Sequence, residues 1–174
     1  MNNNISAIFF LFILICCAVP DNIAERESYS NYDHQTFSNT TSASIPDNDL
    51  TGIISSINVT SIFDDVSRIT LKLNITHAMD SDLDIYLESP YGTRIEISTD
   101  NGATGNDYDD TFFSDSASTD ITAGTAPFSG SYRPEEELSV FKGEASNGSW
   151  KLNIVDDGPG DIGTFKSWEL TIYY

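Results

Sequence analysis

Ile69-Thr70-Leu71-Lys72-Leu73-Asn74-Ile75-Thr76 alternates without a break, odd positions apolar and even positions polar. Successive side chains of an extended strand point to opposite faces, so this octapeptide predicts a strand with one buried and one solvated face. The alternation returns at Leu83, Ile85 and Leu87, at Ile95 and Ile97, at Trp150, Leu152 and Ile154, and at Trp168, Leu170 and Ile172. Ile53, Ser55, Ile57 and Val59 make a weaker set. No stretch holds a helical period over ten residues. Ser89-Pro90-Tyr91-Gly92, Asp100-Asn101-Gly102, Asn147-Gly148 and Gly158-Pro159-Gly160 punctuate the strands as turns. Strands with one apolar face need a second sheet to cover it. The expected fold is therefore all-β, an antiparallel β-sandwich or jelly roll (galactose-binding-like) of about seven to nine strands. The segment from Asp100 to Lys142 shows few clear strands. It is too long for a hairpin loop, so it is expected to be functional or braced by ligands.

The chain has 174 residues, room for one domain and extensions. Its 27 acidic residues against 8 Lys and Arg give a net charge of -19, which repels phosphate backbones and argues against nucleic acid as a partner. Many carboxylates sit in clusters, and clustered charge is costly unless solvated or neutralised by a cation.

An apolar run from Ile5 to Val19 is too short for a comfortable membrane span and fits the central region of a secretory signal peptide. Residues 1–20 are read as that signal, with cleavage near Ala18, although Met1-Asn2-Asn3-Asn4 carries no Lys or Arg. The expected location is extracellular. Membrane attachment follows only if the segment stays uncleaved or Cys17 is lipidated. Cys16 and Cys17 both lie inside the run, so a cleaved chain has no disulfide and calcium is the natural substitute. Residues 21–44 show no hydrophobic period and read as a linker or disordered segment, with His34 as a solvated linker residue. The domain is placed at 45–174.

Several motifs occur in order along that domain. Asn74-Ile75-Thr76-His77 leads into Asp82-Leu83-Asp84-Ile85-Tyr86-Leu87 and Ser89-Pro90-Tyr91-Gly92-Thr93. Gly105-Asn106-Asp107-Tyr108, Thr111-Phe112-Phe113-Ser114-Asp115 and Ala126-Pro127-Phe128-Ser129-Gly130-Ser131-Tyr132-Arg133-Pro134 follow. Asn147-Gly148-Ser149-Trp150 and Gly163-Thr164 with Ser167-Trp168 close the set. Together they resemble the P domain, or P/Homo B domain, of subtilisin-like proprotein convertases, in the pattern of bacterial secreted proteases. The resemblance implies a jelly-roll module that stabilises or docks on a subtilisin-like serine protease domain. No such domain fits in residues 1–44. Where mammalian convertases carry Arg-Gly-Asp, this chain has Asp80-Ser81-Asp82.

Three acidic clusters are candidates for calcium, which takes six to eight oxygen ligands. Asp80, Asp82 and Asp84 alternate into a strand and are expected on one face. Asp107, Asp109, Asp110 and Asp115 lie in the long segment. Asp156, Asp157 and Asp161 surround Gly158-Pro159-Gly160. Solvated acidic turns are the plain alternative, and the spacing is not that of an EF-hand. Asp80, Asp82, Asp84, Asp107, Asp115, Asp156, Asp157 and Asp161 form the candidate ligand set. His77 is read as structural. With no Gly-x-Ser-x-Gly turn and no further domain histidine, no triad is expected and the chain is read as non-catalytic. Zinc is likewise disfavoured. The rival reading is a calcium-dependent carbohydrate- or surface-binding module or adhesin, with Tyr86, Tyr91, Tyr108, Tyr132, Tyr173 and Tyr174 as platform candidates. Glycosylation sequons fall at Asn39, Asn58, Asn74 and Asn147.

Overall fold

The computed structural model describes residues 32–174. Ten strands follow in order: β1 (His34–Asn39), β2 (Ala43–Ile45), β3 (Asp49–Val59), β4 (Arg68–His77), β5 (Leu83–Glu88), β6 (Arg94–Thr99), β7 (Tyr108–Phe113), β8 (Phe128–Tyr132), β9 (Gly148–Asp156) and β10 (Gly163–Tyr173). Three 3₁₀ turns, Asp80–Asp82, Ile121–Ala123 and Leu138–Phe141, interrupt the connections. One sheet runs β1-β10-β4-β7-β8, with β2 also paired to β10, and the other runs β3-β9-β5-β6. All pairings are antiparallel except β7 with β8.

The alternating sets fill the space between the sheets. Leu71, Leu73, Ile75, Leu170 and Ile172 from one sheet join Ile57, Ile85, Leu87, Leu152 and Ile154 from the other in a single buried cluster. Trp150 and Trp168 are buried with them. Each buried indole N–H needs an acceptor. Trp150 Nε1 donates to the Ser146 carbonyl at 2.9 Å, and Trp168 Nε1 donates to Ser55 Oγ at 3.0 Å. The second bond explains why a serine occupies an inward position of β3.

Two expectations are corrected. Residues 34–39 and 43–45 are strands, so the sandwich begins within the expected linker. His34 to Asn39 pairs residue by residue with Tyr173 to Trp168, and Phe37 packs half-buried on the core. The local sequence has a single apolar side chain, so the strand owes its existence to its partner. His34 stacks on Tyr173 with ring centroids 5.2 Å apart. The long segment contains β7 and β8, not a ligand-braced loop throughout. Leu73 pairs with Thr111 and Ile75 with Tyr108, so Asn74 opposes both Asp109 and Asp110 in a β-bulge. Asp110 takes a φ of 52° there. The extra residue places Tyr108 and Thr111 inward three positions apart, which erases the period of two. The proposed signal peptide lies outside the described residues. No helix long and apolar enough to cross a membrane occurs among the described residues.

Candidate functional site

β4 extends its inward odd positions by one to His77, at the end of the sandwich where β5 begins and β9 stops. The His77 ring is buried between two acceptors. Nε2 lies 3.0 Å from Asp156 Oδ2 and Nδ1 lies 2.8 Å from the Met79 carbonyl. The backbone N–H of His77 donates to Asp107 Oδ1 at 3.0 Å, and the N–H of Asp107 donates to Asp80 Oδ1 at 2.9 Å. Asp156 Oδ1 accepts from Gly158 at 3.2 Å. A chain of hydrogen bonds thus links Asp80, Asp107, His77 and Asp156, ordering three loops around one imidazole. This places His77 as a structural residue.

Asp80 to Asp82 is a 3₁₀ turn rather than extended strand, so the three alternating aspartates do not share a face. Asp80 turns inward and is fully buried, whereas Asp82 and Asp84 are half-buried. Asp80 Oδ2 is shut off from solvent with no hydrogen-bond partner. Burial is the main reason its pKa rises to about 7; the Asp107 N–H and the nearby His77 pull the other way. Asp82 is also raised, first by burial and then by Asp156 and Asp161. Asp84 is raised by burial and by Asp100 and Asp157.

Two of the three expected clusters therefore meet at one end. The Asp157 N–H donates to the Asp82 carbonyl at 2.9 Å. Gly158 sits so close that a Cβ there would overlap the Asp82 carboxyl group. Asp107 joins through Asp80. Asp115 does not join: it accepts from the N–H groups of Leu138 and Ser139 at 2.8 and 2.9 Å, holding the start of a 3₁₀ turn. Asp110 pairs with Lys72 at 3.0 Å. Asp100, absent from the sequence set, stands beside Asp84; its only signal is the Asp-Asn-Gly turn, where its φ is 55°. Among the described residues no three His, Cys, Asp or Glu side chains are arranged to hold a metal ion. Any cation would need backbone carbonyls and water to complete its shell. The donor set is nonetheless all oxygen, and the unpartnered Asp80 Oδ2 is a buried acceptor without a donor. A cleft of about 650 Å³ opens next to this end, lined by Thr76, His77, Asn106, Asp107 and Ile162 among others.

The aromatic platform reading loses members. Tyr108 is fully buried, with its hydroxyl 2.9 Å from Ser98 Oγ. The Tyr86 ring is covered by the Arg94 guanidinium at 3.8 Å, and Tyr173 by Arg68 at 3.8 Å. Of the sequons, Asn58 and Asn147 are exposed, while Asn39 donates to the Ser56 carbonyl.

Two facing sheets, a buried histidine network and an acidic loop end define an all-β sandwich module. The chain belongs to the proprotein convertase P-domain family, whose profile matches residues 66–172, from just before β4 through nearly all of β10. A transglutaminase-activating metalloprotease of Streptomyces mobaraensis is 29% identical over 136 residues, 78% of this chain but 14% of that protein. The crystal structure of the Aeromonas sobria serine protease with its chaperone aligns with a TM-score of 0.54 and 20% identity, covering 81% of this chain and 26% of the other. A further crystal structure, of the serine protease of Aeromonas sobria, gives 0.51 and 19%, with the same coverage. At these identities the likeness shows the fold alone.

Proposed function

We propose that this chain is a non-catalytic accessory module of extracellular proteolysis, which docks on or stabilises a subtilisin-like serine protease domain. The observation that carries the reading is family membership across most of a complete sandwich whose only inward histidine is fixed by Asp156 and Met79. A ring that is shut off from solvent and held on both nitrogens by Asp156 and Met79 presents neither nitrogen to a substrate. The relatives are proteases of which the matched region is a small part. Export through the Ile5–Val19 run belongs to the same reading.

Calcium is the proposed stabiliser. Asp82, Asp84, Asp157 and Asp161 would hold it, with Asp100 alongside, and its charge would offset both the burial and the neighbouring carboxylates that raise Asp82 and Asp84.

The full chain, tagged and expressed in its source organism, tests the reading. Co-purification of a subtilisin-like serine protease, with no peptide hydrolysis by the chain alone, is the expected result. Peptide turnover by the chain that vanishes in His77→Ala would overturn it, as would recovery with no protease at all.

A further inference from the structure

Seven large apolar side chains are exposed among the described residues: Tyr32, Leu50, Ile54, Phe63, Tyr91, Val140 and Ile162. Four of them share the end of the sandwich opposite His77. Phe63 is 81% exposed in the β3–β4 loop, Tyr91 is 69% exposed in the β5–β6 turn, and Val140 is 53% exposed in the last 3₁₀ turn. These loops are fastened to one short segment, residues 143–146. The Ser146 N–H and hydroxyl both donate to the Asp64 carbonyl, and Val66 exchanges backbone hydrogen bonds with Glu144 and Gly143. The Thr93 hydroxyl donates to Glu144, two residues beyond Tyr91. Glu144 also donates its N–H to the Phe141 carbonyl, next to Val140. Tyr32 joins from just before β1, which is tied to the β3–β4 loop by Ser61 donating to Gln35 at 2.6 Å.

Exposed apolar side chains carried on loops that are fastened to one another are what an interaction surface uses. Exposed Asp64, Asp65 and Glu137 and one Lys142 surround them, an arrangement of apolar centre and charged rim that fits a partner with a basic border. The same end carries both ends of the described chain: His34 pairs with Tyr173, and the Tyr174 N–H donates to the Asp33 carbonyl. The matched region is 14% of one protease relative and 26% of another, and a further domain joined through the Tyr32 or Tyr174 side would lie at this end. We infer that the Tyr32, Phe63, Tyr91 and Val140 end is the face that docks on the subtilisin-like protease domain. This rests on the accessory-module reading and adds the surface to it. The acidic His77 end, where Ile162 is exposed, is turned away from the partner.

The full chain serves as bait in culture proteins of its source organism, with a fluorophosphonate label reporting captured serine proteases. A subtilisin-like protease is expected on the native chain and on Ile162→Ser. Combined Phe63→Ser, Tyr91→Ser and Val140→Ser should weaken capture at least about a hundredfold, since central apolar anchors dominate such interfaces. An unchanged melting temperature checks that the variant is folded, and Phe63→benzoylphenylalanine in the otherwise native chain should cross-link to the protease. Equal capture by the native chain and the triple variant overturns the surface while leaving the module reading intact. Loss of capture in Ile162→Ser alone does the same, as does a cross-link from position 63 only to a second copy of this chain. Capture of no serine protease by any bait overturns the module reading itself.

Discussion

Asp80→Asn isolates the buried carboxyl group at the centre of the acidic end. In the unfolded chain Asp80 titrates near the ordinary 3.8, and burial raises it to about 7 in the folded one. Below about pH 3.8 both forms hold the proton and folding buries no charge. Between 3.8 and 7 the unfolded chain has lost its proton while the folded chain keeps it, so stability falls as pH rises. Above about 7 the loss is complete. A gap of this size corresponds to at most about 4 kcal/mol. Asn at 80 keeps an oxygen for the Asp107 N–H and cannot ionise. The variant is therefore expected to lose much less stability between pH 4 and 8, and to gain relative to the native protein as pH rises. Asp82 and Asp84 are raised in the same direction and add to the slope of both proteins, so the difference between the two reports Asp80. Urea unfolding followed by the fluorescence of buried Trp150 and Trp168, in chelator across that range, measures it. Parallel pH profiles for native and variant proteins would refute the account of Asp80 as a charge stranded by burial.

Calcium at several millimolar is expected to raise the melting temperature relative to chelator, and magnesium to do so poorly; Asp82→Asn and Asp84→Asn should lose most of that shift. Calorimetry on metal-free protein reads the difference. Ser55→Ala removes the acceptor of a buried indole N–H and should cost about 1–3 kcal/mol in urea unfolding, and much less in a Trp168→Phe background. Gly163→Ala would drive a Cβ into the His77 ring and the Thr76 carbonyl, so it is expected to destabilise by about 1–3 kcal/mol and to broaden the His77 signals in NMR spectra.

Sandwich architecture was legible in the sequence because burial on one face of a strand imposes a period of two. Ile69 to Ile75, Leu83 to Leu87 and Trp150 to Ile154 all carry it, and each falls on the strand expected. The family was legible from the turn and strand motifs that fix the domain's shape. Strands β1 and β7 were not. The first has almost no apolar signal of its own, and the second hides its period behind a bulge at Asp109 and Asp110. The acidic site divides in the same manner. Composition alone identifies carboxylate-rich loops, because charge is written in the residue types. Their geometry depends on how chain ends meet across two sheets. Only the fold turns Asp80 inward on a 3₁₀ turn, sets the 156–161 loop against Asp82, brings Asp100 beside Asp84, and sends Asp115 away to hold the 138–141 turn. Spacing along a strand fixes which face a side chain takes. Which loops then share that face is decided by strand order, and strand order is a property of long-range pairing.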